Sequence, residues 1–162
     1  MKNKAGAVMI VCISALLAFA LNGCGVFSDP PPVPDDDEII VRITLDLKQD
    51  IGLLLTDHTV DGHKGGGGMS NADRTMIKRD DVLYWSFKKS EYGITEDKAD
   101  LTLKFTVVTE YFEPNYENIY PEECLVPMNE IHFTAEFGKI YDAVITGSSE
   151  NGYSARLSGL PR

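Results

Sequence analysis

The sequence predicts an all-β domain, an antiparallel sandwich of about seven strands over residues 38–162. Three observations carry this. Apolar residues recur with a period of two in one segment after another, which is the mark of half-buried strands. Turn-forming residues separate those segments. No stretch sustains a helical period. The 162 residues, 43% of them hydrophobic, suffice for one ordinary domain with a core.

The first strand is the clearest: Val41, Ile43, Leu45 and Leu47 alternate with Arg42, Thr44, Asp46 and Lys48. Residues 51–60 form the second, and the run Leu53-Leu54-Leu55 places it centrally in a sheet. The third covers 82–88 and holds Trp85, the sole tryptophan. In the fourth, Leu101, Leu103, Phe105 and Val107 alternate with threonines and Lys104. Ile131, Phe133, Ala135 and Phe137 alternate with His132, Thr134 and Glu136 in the fifth. Residues 140–147 and 153–157 close the series, joined through Asn151-Gly152, a strong hairpin signal. Residues 90–100 have room for one short turn of helix. A closed barrel is the alternative arrangement of the same strands.

The N-terminus belongs to a different physical world. Lys2 and Lys4 precede an uncharged apolar stretch from Ala5 to Leu21, followed by Asn22, Gly23 and Cys24. Such a pattern is an export signal and not part of the fold; at about 17 residues it sits at the low edge of a membrane span, so an uncleaved anchor helix is the competing reading. Leu21-Asn22-Gly23-Cys24 resembles the lipobox of bacterial lipoproteins. The resemblance implies a cleaved leader over residues 1–23, a diacylglycerol on the Cys24 sulfur, and a mature chain held on the extracytoplasmic face of a bacterial membrane. Its lipid chains would contribute about 0.8 kcal/mol per buried CH₂. Gly25 in place of Asp after the cysteine resembles the pattern sent to an outer membrane, where the host has one. Residues 24–37 then form a tether: four prolines and Asp35-Asp36-Asp37 leave nothing to pack, and polyproline II geometry spans on the order of 40 Å.

Charge narrows the partners. Without Lys2 and Lys4 the chain carries 13 basic and 25 acidic side chains, 13 − 25 = −12. Phosphate backbones would be repelled, so nucleic acid is excluded as a partner. Cys12 leaves with the leader and Cys24 takes lipid, so Cys124 alone remains and the domain holds no internal disulfide. Cys124 reads as a small packed hydrophobe.

Phe137-Gly138-Lys139-Ile140-Tyr141 resembles the tyrosine corner of Greek-key sandwiches, with Phe137 where a proline is usual. Residues 138–157 are similar to the closing hairpin of immunoglobulin-like, fibronectin-like and fimbrillin-like exported domains. The resemblance implies an immunoglobulin-like sandwich and says nothing of a ligand.

Three stretches invite a chemical reading. Asp57, His58, Asp61 and His63 have the donor types of a zinc site. In one extended strand, however, positions 58 and 63 face opposite ways, and only a turn at Asp61-Gly62 would gather them. A polar turn is the simpler reading, and no metal or other cofactor is expected. Lys64 and the four glycines 65–68 lack the ending of a phosphate loop. They read as a mobile loop, or as backbone that something must approach closely. Residues 111–123 are long for a hairpin loop, acidic and rich in tyrosine. Tyr116 and Tyr120 there are candidate ligand-binding residues for a glycan or a protein; the alternative is that the tyrosine rings cover an open end of the sandwich. No nucleophile-base pair, elbow motif or paired cysteine motif appears, so an enzyme is not expected. The expectation is a lipid-anchored binding or adhesion module. The alternatives are a structural subunit of an envelope assembly that pairs through a strand edge, and a small exported hydrolase.

Overall fold

The computed structural model describes residues 31–115, 117 and 119–159. The chain divides into Met1–Pro32 and Val33–Arg162, and the architecture below is that of the second unit. The leader, Cys24 and most of the tether lie outside the described residues, as does Tyr116.

The strands are β1 (Glu38–Leu47), β2 (Leu53–Val60), β3 (His63–Met69), β4 (Val82–Lys88), β5 (Lys98–Val108), β6 (Leu125–Glu136), β7 (Lys139–Ser148) and β8 (Gly152–Leu157). One helical turn, α1 (Lys89–Tyr92), follows β4 and ends at Gly93 in the left-handed conformation. The strands form two four-stranded sheets, ordered β4-β1-β7-β8 and β3-β2-β5-β6. Every neighbouring pair is antiparallel except β1 and β7. The fold is therefore all-β and sandwich-like, with β2 in a sheet interior as its leucine run required.

Alternation builds the core. Ile39, Val41, Ile43, Leu45 and Leu47 of β1 join Ala99, Leu101, Leu103, Phe105 and Val107 of β5 in one buried cluster with residues of the other strands. β2 contributes in phase, with Leu54, Thr56, His58 and Val60 all buried. Its opposite face is handled differently. Leu53, Val108, Tyr120 and Cys124 form a second buried cluster, flanked by Leu55, Phe112 and Leu125. The long loop after β5 thus folds back over the outside of the second sheet, at one end of it.

The number of strands corrects the sequence expectation. There are eight among the described residues, not about seven, because Lys64 and glycines 65–68, read from sequence as a mobile loop or closely approached backbone, belong to a strand, residues 63–69, that pairs with β2 along its whole length. Asp61 and Gly62 turn the chain with φ of 47° and 84°, the two left-handed residues of a type I′ hairpin.

At the β6–β7 turn, Gly138 has φ of 77°, and the Tyr141 hydroxyl accepts a 2.7 Å hydrogen bond from the Glu136 N–H. The tether's last residues are held: Lys89 N–H donates to the Asp37 carbonyl and Glu38 N–H to that of Asp35.

Candidate functional site

The sandwich has four strand edges, β4 and β8 in one sheet and β3 and β6 in the other. An unpaired edge presents N–H and C=O groups to any extended chain, and proteins blunt such edges with charge, proline or a cover. β8 is covered. The Asn129 side chain, from β6, accepts from Ala155 N–H at 3.1 Å and donates to the Ala155 carbonyl at 2.8 Å. It imitates a strand.

β3 carries one charged residue, Lys64, and has no proline and no side-chain cap among the described residues. Its sequence is His63-Lys64-Gly65-Gly66-Gly67-Gly68-Met69, and Lys64, Gly65, Gly66 and Gly68 are exposed. A two-residue I′ loop makes its flanking residues, Val60 and His63, a pair that exchanges both backbone hydrogen bonds. Narrow and wide pairs then alternate. His63, Gly65, Gly67 and Met69 bond to β2, and the N–H and C=O groups of Lys64, Gly66 and Gly68 point away from the sheet.

Close packing explains the glycines on the inner face. A Cβ on Gly65 would lie 2.8 Å from His58 Cε1 and closer still to Nε2, and one on Gly67 would lie 2.9 Å from Trp85 Cη2. β3 lies directly on the rings beneath it. His58 is the centre of that layer: its Nε2 and the Tyr92 hydroxyl share a 3.0 Å hydrogen bond, and its ring meets Phe87 edge-on at 5.1 Å and Trp85 at 5.9 Å. The buried Nδ1 has no hydrogen-bond partner among the described residues. Burial pushes the imidazole below its ordinary value, opposed by the nearby Asp57 and Glu91 carboxylates.

The outer face beside β3 is polar. Asp57 of β2 stands opposite Lys104 of β5, which stands opposite Glu130 of β6; Thr59, Thr102 and His132 form the next row. A hollow of about 350 Å³ opens there, lined by Asp57, Thr59, Lys64, Gly65, Lys104 and Glu130 among others. The side chains of β2 lean over the glycines: a Cβ on Gly66 would come within 3.2 Å of Asp57 Oδ1, and one on Gly68 within 3.0 Å of Leu55 Cδ2.

The structure separates the four residues with metal-ligand character. Hairpin pairing puts His58 and His63 on the same face, yet His58 is buried and bonded to Tyr92 while His63 stands exposed at the edge. Asp57 points to the outer face, and the Asp61 carboxylate accepts from Asp100 N–H at 2.7 Å. Among the described residues no group of three or more His, Cys, Asp or Glu is placed to hold a metal ion. Tyr120 is 8% exposed, and its ring packs against Phe112 with centroids 5.9 Å apart. Its place is in a core and not on the surface of the loop. Tyr120 therefore covers the outer sheet face at Leu53 and Val108. Sequence reasoning missed the β3 edge itself. The usable signal was the Asp61-Gly62 turn, which demands a returning partner for β2.

No family model and no curated protein matches the sequence. Among solved structures, the chain is similar to a Gram-negative toxin at 8% identity and a TM-score of 0.38, over 75% of this chain and 23% of that one. It is similar to listeriolysin O at 8% identity and a TM-score of 0.37, over 75% and 23%. A non-hemolytic pneumolysin from Streptococcus pneumoniae strain ST306 matches at 9% identity and a TM-score of 0.37, over 76% and 24%. The chain thus spans about a quarter of each of these proteins' length.

Proposed function

We propose that this chain is a lipid-anchored, non-enzymatic module of a bacterial cell envelope that takes a protein partner by strand addition at β3. One observation carries the reading. β3 is an exposed edge holding four consecutive glycines, with outward backbone groups at three alternate positions, while the β8 edge of the same domain is capped by Asn129. Strand addition draws affinity from main-chain hydrogen bonds and specificity from alternate side chains. A side-chain-free edge admits a partner's backbone without steric selection against it.

The anchor reading rests on Leu21-Asn22-Gly23-Cys24 and the charged, apolar leader before it. With the lipid on Cys24 and a proline-rich tether behind it, the edge would be presented outside the membrane, at a stand-off distance. The finer fold assignment, an immunoglobulin-like sandwich, is supported by the Tyr141 to Glu136 bond and by the parallel β1–β7 pair inside otherwise antiparallel sheets. A partner bound through the tyrosine loop is the weaker version, because Tyr120 is committed to packing.

The test places a photo-crosslinking amino acid at Lys64 in the full chain, in the cell that makes it. A stoichiometric adduct is expected, and it should vanish in Gly68→Pro. Proline there removes one outward N–H without touching the β2 ladder, and its Cβ meets only the flexible end of Leu55. An adduct that persists unchanged in Gly68→Pro would sink the reading.

A further inference from the structure

We infer that the β3 edge selects its partner strand by sequence register, requiring a basic residue opposite Gly66 and an aliphatic one opposite Gly68. The inference rests on the strand-addition reading and adds to it the chemistry of the incoming segment.

The glycines leave part of β2 uncovered. On the outer face, residues of β3 at 64, 66 and 68 alternate with inward positions 65 and 67. A normal strand would fill positions 66 and 68 with its own side chains and hide β2 from any newcomer. Here the second strand in shows through. Asp57 Oδ1 lies 3.2 Å from the place of a Gly66 Cβ, and Leu55 Cδ2 lies 3.0 Å from that of Gly68. An added strand would sit about 4.8 Å beyond β3. From there a short side chain reaches only the glycine, whereas an Arg or Lys extended across it meets the Asp57 carboxylate.

Charge favours that pairing. The Asp57 carboxylate forms no hydrogen bond or ion pair with another described residue, and the Lys104 ammonium opposite it is not within ion-pair distance. The carboxylate is thus available, at the rim of a hollow that holds Glu130 together with Lys64 and Lys104. The chain as a whole is acidic, at −10, so an acidic segment would be repelled before it docked. Lys64, exposed two positions away, prefers an acid opposite itself. The residue between the basic and aliphatic positions faces inward over Gly67 and rests against Trp85, which is half-buried there; an apolar side chain fits. The pattern sought is acid, apolar, base, apolar, aliphatic, read in either chain direction.

The probe is a blocked peptide with the core Glu-Val-Arg-Ile-Leu, a second with that core reversed, and for each a version with Arg replaced by Glu. Binding to the full chain, purified in detergent, is followed by fluorescence anisotropy. The better Arg peptide should bind about fivefold more tightly than its Glu version. Asp57→Asn should bring the two within about twofold, with Trp85 fluorescence unchanged, and Gly68→Pro should abolish both. Equal affinity of the Arg and Glu peptides, with binding still lost in Gly68→Pro, overturns the register inference and leaves strand addition standing. Binding indifferent to Gly68→Pro, or no binding by any peptide, overturns both. A dimer that Gly68→Pro dissociates, without peptide binding, assigns the edge to a second copy and also defeats the inference.

Discussion

Replacing Gly65 by Ala should destabilise the domain, although alanine in a strand is ordinarily the better residue by about 0.5–1 kcal/mol. The added methyl would meet the His58 ring at 2.8 Å from Cε1 and 3.1 Å from Cδ2, inside any ordinary contact distance. The ring has nowhere to go. Phe87 stands 5.1 Å away, Trp85 5.9 Å and Tyr92 6.1 Å between centroids, and the 3.0 Å bond to the Tyr92 hydroxyl fixes its tilt. Overpacking of this kind costs about 1–3 kcal/mol, so it outweighs the gain from reduced backbone freedom. The expected net loss is about 1–2 kcal/mol. Urea unfolding read by the fluorescence of Trp85, which touches the same strand, reports it as a lower midpoint at an unchanged slope. Gly68→Ala is the control, since its methyl meets only a mobile leucine end, and it should stay within about 0.5 kcal/mol. In the double variant with His58→Ala the Gly65 penalty should shrink, because the two sites share one contact. A Gly65→Ala domain as stable as the parent would refute the packing of β3 on His58.

Two further outcomes follow from buried side chains. His58 has a depressed folded value, so below its ordinary 6.5 the unfolded chain takes up a proton that the folded chain refuses. Stability should therefore fall as pH drops from 7 through the folded value, and His58→Phe should flatten that slope in urea titrations; identical slopes would show that His58 is not buried neutral. Tyr120→Ala should lower stability by about 3 kcal/mol, because the ring fills the cluster of Leu53, Val108 and Cys124, and calorimetry showing no change would return Tyr120 to the surface.

What the sequence disclosed, and what it hid, divides along one physical line. Strands whose side chains alternate announce themselves: β1, β5 and the core half of β6 lie where the alternation put them, and β4 spans the expected residues. β3 was invisible because its five exposed positions include no alternation to read; four glycines have no side chain to be apolar or polar. Pairing, not propensity, makes it a strand, through a turn whose Asp61 and Gly62 both adopt positive φ. His58 was partly legible, since it is in phase with the buried Leu54, Thr56 and Val60. Its burial follows from that phase, while its bond to Tyr92, 34 residues on, is a property of the packed sandwich alone. The tyrosine loop was ambiguous for a different reason: aromatic residues serve surfaces and cores alike, and only the fold-back over Leu53 and Val108 decides the role of Tyr120.

Amide hydrogen exchange along β3 distinguishes an open strand edge from a loop or a closed edge. Glycine amides resolve well in nitrogen-proton spectra, so residues 63–69 can be followed one by one. The account expects alternation in the free chain: Gly65, Gly67 and Met69 protected by β2, and Lys64, Gly66 and Gly68 exchanging fast, with those three becoming slow when a partner strand is bound. Uniformly fast exchange from Lys64 to Gly68 would mean that the glycines are a loop after all, and protection of Gly66 and Gly68 in the free chain would mean that the edge is already closed.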